Sequence, residues 1–293
     1  MYKIFQITMI DDNNIAVEAK ALNKVYKVKN KKDVNALVNF DIKIPRGTTY
    51  GLLGPNGAGK STFINILGGI VLKTSGLVKI CGIDIDKKTT DSRKLIGIVP
   101  QELNMDPFFT PFELLELQAG LYGVRKKDRN TEQILERVGL TKQKNAYARN
   151  LSGGMRRRLL VAKALVHKPP VIILDEPTAG VDVELRQSLW KYIKELNSTG
   201  VTVLLTTHYL QEAEQLCDYI TIVNKGKVVA NDTRNNLLKS ISKKTVRFTL
   251  ETKISEIPNN FYGYKADLDN NLLSITYDKK KDSLKHILNL LNV

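Results

Sequence analysis

Gly54-Pro55-Asn56-Gly57-Ala58-Gly59-Lys60-Ser61-Thr62 decides how the rest of the chain is read. It fits G-x-x-x-x-G-K-[ST], the spacing of a loop that wraps a polyphosphate. Glycines let the backbone curl, so that successive N–H groups point inward at an anion. A helix opening directly after the loop adds its positive dipole end. Lys60 then reaches the β- and γ-phosphates, and the Ser61 hydroxyl is the expected Mg²⁺ ligand. The flanks agree. Tyr50 to Leu53 reads as a short buried strand, and Thr62 to Leu67 continues as a helix.

A length of 293 residues suits one large domain, or one domain plus an appendage. No run reaches the roughly 18 apolar residues that span a bilayer. Met1 to Ile10 alternates apolar and polar residues and ends in Asp11-Asp12. That is a poor signal peptide and a fair edge strand. Cys81 and Cys217 lack metal-type spacing and read as two reduced thiols. The net charge of +15 suits nucleic acid, an anionic membrane surface or an acidic partner. Its basic residues are spread out, however, with short clusters at Lys29 to Lys32, Arg156 to Arg158 and Lys279 to Lys281, and no basic run interleaves with aromatics. The expectation is a solvated basic surface with a modest pull toward anionic lipid headgroups, and no nucleic acid partner.

Upstream of the loop, residues 15–22 and 34–44 read as strands. Tyr26, between them, is placed to stack on an adenine face. Downstream, Gly76 to Ile80 and Ile83 to Ile85 form a hairpin, and Leu95 to Val99 is a buried strand that delivers Gln101 to its C-terminal end. Ligands collect at that edge of an α/β sheet. Residues 104–150 change to helical periodicity, with Phe108 and Phe109 between Pro107 and Pro111, and Phe112 just beyond, expected as an exposed aromatic cluster. Leu151-Ser152-Gly153-Gly154-Met155 opens another helix, with Ser152 as a cap and glycines that leave its backbone open to an anion.

Val171 to Leu174 has the β-branched content of a central parallel strand and ends in Asp175-Glu176. Asp175 is placed to hold Mg²⁺, and Glu176 to polarise an attacking water. Val201 to Leu205 delivers His208 to the same edge. From about residue 240 a smaller pattern of strands and one helix restarts, without chemistry of its own.

Together these motifs resemble the ATP-binding cassette (ABC) ATPases over roughly residues 15–235. Gly54 to Thr62 is similar to Walker A and Gln101 to the Q-loop. Leu151 to Met155 resembles the signature, and Val171 to Glu176 Walker B with its glutamate. Ala179 to Asp182 is similar to the D-loop, His208 to the H-loop and Tyr26 to the A-loop. The wording of residues 175–182 and 206–210 looks most like the ABC-2 type exporters of drugs and polysaccharides.

The resemblance implies an α/β fold: a P-loop core with an antiparallel β subdomain and a helical insertion at about 102–165, all within residues 1–240. A small α+β appendage occupies 241–293. It also implies ATP and Mg²⁺ as cofactors, with Mg²⁺ at Ser61, Gln101 and Asp175. Glu176, His208 and Gln101 would be catalytic, and nucleotide would be held by Tyr26, by Gly54 through Thr62 and by Ser152, Gly153 and Gly154. The last three would act across a head-to-tail homodimer. An integral membrane permease would be the other partner, at the cytoplasmic face of the membrane. A soluble ABC ATPase acting on ribosome or nucleic acid is the alternative. Such proteins usually carry two cassettes or long coiled coils, and here there is one P-loop and no sustained heptad pattern.

Overall fold

Three β-sheets organise the protein in a computed structural model that describes residues 14–27, 29, 32–179, 183–240, 243–251, 256–257, 261, 263–278 and 281–291. The expected strand at Met1 to Ile10 and most of the D-loop stretch lie outside the described residues. Contacts divide the chain into two units, 1–234 and 235–293.

In the first unit, β1 (Ile15–Tyr26) and β2 (Val34–Pro45) form a long antiparallel ribbon, extended by β4 (Ser75–Ile80) and β5 (Ile83–Asp84) in the order β2-β1-β4-β5. The second sheet runs β10 (Lys227–Thr233), β9 (Tyr219–Asn224), β3 (Thr49–Leu53), β8 (Thr202–Thr207), β7 (Val171–Asp175) and β6 (Ile96–Val99). Its pairs from β9 to β6 are parallel, and β10 closes the edge as a hairpin. β7 and β8 are covered on both faces, which is why they read as unbroken apolar or β-branched runs.

Helix α1 (Lys60–Leu67) joins the two sheets. Phe63, Ile66 and Leu67 are buried in one core with Phe40 and Ile42 of the antiparallel sheet and Ile173 and Leu204 of the parallel one. The Phe40 and Phe63 rings lie 5.0 Å apart. Each such side chain, fully buried, contributes about 2 kcal/mol.

Between β6 and β7 comes a helical insertion of α3 (Pro111–Leu121), α4 (Thr131–Arg137) and α5 (Gly153–Leu165), with a core of its own around Leu115, Leu135, Leu140 and Leu159. Helix α3 starts at a full capping box, Thr110 with Glu113, and has Pro111 at its first turn. The remaining helices of this unit are α2 (Thr89–Lys94), α6 (Val183–Ser198) and α7 (Leu210–Leu216), and α8 (Arg234–Ser240) follows β10. α2 and α7 are short and were not expected from periodicity. The second unit contains β11 (Lys243–Thr249), β12 (Lys265–Asp269), β13 (Leu272–Asp278) and α9 (Leu284–Leu290), in the sheet order β11-β13-β12, around Phe261, Leu273, Ile275 and Ile287.

Two sequence expectations need correction. Arg156-Arg157-Arg158 is not solvated surface. Arg156 donates to the Arg149 carbonyl (2.8 Å), Arg157 to Pro100 (3.1 Å) and Gln101 (2.9 Å), and Arg158 to Val138 (2.9 Å). One helix therefore satisfies free carbonyls in three different loops. The aromatic cluster is also smaller than expected. Phe109 and Phe112 pack on the insertion's core, and only Phe108 stays exposed, beside the Arg149 guanidinium.

Candidate functional site

The register of the parallel sheet gathers the polar groups. Leu53 pairs with Thr207, Asp175 with Thr206, and Val99 with Leu174. All four strands thus end at one edge. The segments that leave it carry Lys60, Gln101, Glu176 and His208.

These four side chains meet at Glu176. One carboxylate oxygen lies 3.7 Å from the Lys60 ammonium and 3.2 Å from His208 Nδ1. The other accepts from the Gln101 amide at 3.3 Å. Lys60 also donates to the carbonyls of Gly54 (2.7 Å) and Pro55 (3.3 Å), so it is folded against its own loop. Glu176 and Lys60 are nearly fully buried, whereas His208 is open to solvent and lies beside Tyr209.

Glu176 has a left-handed backbone, φ 45°, which costs a non-glycine residue about 1–2 kcal/mol. Its N–H donates to Thr206 Oγ1 at 3.0 Å, and that hydroxyl donates on to Asp175 Oδ1 at 2.5 Å. Thr206, fully buried, fixes both acids, and sequence reasoning missed it. Its signal lay in pairing between strands far apart in sequence, since Asp175 and Thr206 are register partners.

The loop itself is shaped by packing. A Cβ on Gly54 would run into the Val223 carbonyl oxygen, and Gly59, at φ 109°, would meet the Ala36 carbonyl at 2.6 Å. Gly59 begins α1 without a side-chain cap and with no acid in the first turn, leaving a helix start suited to an anion. Ser61 is exposed there. Tyr26 stands apart from the Glu176 cluster. It pairs with Val34, two residues before the Ala36 that abuts Gly59, and its ring carries the Lys24 ammonium at 4.7 Å. Ser152 caps α5, accepting from Met155 N–H at 3.3 Å. Gly153 has an ordinary φ, and a Cβ there would meet nothing within 4 Å.

The donor set fits Mg²⁺. Ser61, Asp175 and the Gln101 side-chain amide would offer it hard oxygens. Among the described residues no group of three or more His, Cys, Asp or Glu could hold a metal alone. Mg²⁺ characteristically takes one or two carboxylates and completes its shell with substrate phosphates and water. Both cysteines are free, and burial pushes the Cys217 thiol far up, leaving it inert.

An uncapped phosphate loop, a buried acid at the tip of a central strand and a second glycine-rich helix start on an inserted helical unit define an ATP-binding cassette. Residues 37–179 match the family model described as ABC transporter. The chain is 39% identical over 223 residues to Nod factor export ATP-binding protein I of Cupriavidus pinatubonensis, covering 75% of this chain and 69% of that protein. It is 38% identical over 232 residues to linearmycin resistance ATP-binding protein LnrL of Bacillus subtilis, covering 78% and 73%. A solved ATP-binding cassette in a dimeric post-hydrolysis state, bound to ADP and Pi, superposes with TM-score 0.66 at 29% identity over 74% of this chain and 98% of that one. The chain belongs to the ABC transporter ATP-binding proteins, and it is an ATP hydrolase. Among the described residues no helix is long and apolar enough to cross a membrane.

Proposed function

We propose that this chain is the ATPase subunit of an exporter, working as a head-to-tail homodimer that drives an integral membrane permease from its cytoplasmic face. What supports export over action on ribosomes or nucleic acid is kinship with relatives named for export and for drug resistance. What carries the dimer is the open space at Gly153. Neither φ nor packing asks for glycine there, so the missing Cβ leaves room for something outside this chain. A triphosphate on the partner's loop suits it.

On ATP binding, Lys60 exchanges the Gly54 and Pro55 carbonyls for the β- and γ-phosphates, and the loop amides take the remaining oxygens. Tyr26 stacks on the adenine. Ser61, Asp175 and the Gln101 side-chain oxygen would hold Mg²⁺, which when bound would neutralise charge on the phosphates. Departure of Lys60 frees a Glu176 oxygen to accept a proton from water. His208 stays beside that carboxylate and faces the γ-phosphate. Ser152, Gly153 and Gly154 close the site from the partner chain. Phe108, at the exposed end of the loop that begins at Gln101, is the contact offered to the permease.

Tagged Glu176→Gln protein, extracted from membranes in detergent, tests this. Hydrolysis should fall about a hundredfold or more with ATP affinity kept, as for loss of a general base. The variant should be recovered as an ATP-bound dimer together with an integral membrane protein. Wild-type hydrolysis, or recovery without a membrane partner, would contradict the proposal.

A further inference from the structure

Arg157 lies one turn into α5, the helix that Ser152 caps and Gly153 opens. Its side chain does not stay in the helical insertion. Nη1 donates to the Gln101 carbonyl at 2.9 Å and to Pro100 at 3.1 Å, in the loop that leaves β6. Arg156 and Arg158 bond carbonyls of the insertion itself. Arg157 alone of the three reaches the segment that carries Gln101.

The residue is 4% exposed. Its Nε has no hydrogen-bond partner, and burial lowers its pKa from the ordinary arginine value. Burying a cation with an unfilled donor is expensive. A Met or Leu would fill the same volume without that cost, so packing alone is a poor reason for arginine here. The bonds made with that charge hold the backbone of Gln101, whose side-chain amide in turn donates to Glu176. A continuous path therefore runs from Ser152 and Gly153, through one helical turn and Arg157, to Gln101 and Glu176.

We propose that Arg157 is a positioning residue coupling the two nucleotide sites of the dimer. It transmits closure of α5 on the partner's γ-phosphate to the placement of Gln101 at this chain's own site. The proposal rests on the head-to-tail reading above. In that arrangement the two ends of the path belong to different nucleotides, and a single guanidinium nitrogen, bonded to two consecutive carbonyls, links them.

The test uses the full chain with Arg157→Met and Arg157→Gln. ATP affinity of the monomer, thermal stability and the ATP dependence of hydrolysis are measured. Dimer formation is followed in the Glu176→Gln background. The expected result is a folded protein with unchanged ATP affinity and an ATP-dependent dimer. Its kcat should be about tenfold lower, and its Hill coefficient should fall from a wild-type value above unity to unity. A merely structural role would lower stability without touching cooperativity. Wild-type kcat and Hill coefficient in either folded variant would overturn the proposal. So would a wild-type Hill coefficient of unity, or failure of both variants to fold. Absence of an ATP-dependent dimer in Glu176→Gln with Arg157 intact would instead overturn the head-to-tail reading.

Discussion

Two helices of this protein begin at glycines, and they begin differently. At α1, glycine is demanded from within. Gly59 sits at φ 109° against the Ala36 carbonyl, and Gly54 abuts the Val223 carbonyl. The helix is left uncapped, with Lys60 folded over the loop. At α5 the chain caps its own helix with Ser152, while among the described residues nothing beyond the helix's own backbone and the neighbouring residues comes within 4 Å of a Cβ placed on Gly153. The first start is a whole phosphate site in waiting. The second is finished as a helix, and neither its φ nor a described neighbour asks for its glycine; in the proposed head-to-tail dimer the partner's phosphate would. The sequence reads both as anion-binding starts, and only the surroundings tell them apart.

Single alanines sharpen the contrast. The largest effect is expected from Gly59→Ala, which forces a left-handed alanine into a carbonyl. Stability should drop by more than about 2 kcal/mol, and ATP affinity should collapse. Thermal melts and nucleotide titration check it, and a stable, ATP-binding variant would remove the packing explanation. Gly153→Ala comes next and should part the two properties. Nothing resists the methyl, so the melting temperature and monomer ATP affinity should hold or rise slightly. Hydrolysis by the dimer should nonetheless fall, by up to about a hundredfold if one transition-state contact is lost. Ser152→Ala should have the mildest effect overall, costing the monomer about 1 kcal/mol of stability from the lost cap with no change in its ATP affinity. A fall in monomer affinity would mean that α5 serves its own nucleotide.

The placement of the polar groups at one sheet edge was legible where they follow an apolar strand. Asp175 and Glu176 at the tip of β7, His208 after β8 and Gln101 after β6 stand out because buried runs end abruptly in polar groups. Residues whose meaning depends on a distant partner were not legible. Arg157 reads as surface until the carbonyls of the β6 loop come over it. Thr206 reads as one more strand threonine until register sets it beside Asp175. Phe109 and Phe112 read as exposed because their loop is flanked by prolines, yet the insertion's core reaches them. β12, Lys-Ala-Asp-Leu-Asp, is an edge strand whose charged residues hide its alternation.

The most direct test of the composite site is Gly153→Arg placed in the Glu176→Gln background, with mass measured by light scattering with and without ATP. The single variant Glu176→Gln should move from monomer to dimer on adding ATP. The double variant should bind ATP with the same affinity and remain a monomer, because arginine fills the space reserved for the partner's phosphate. An ATP-dependent dimer that survives Gly153→Arg, or a monomer that loses ATP binding because of it, would contradict a site shared between chains.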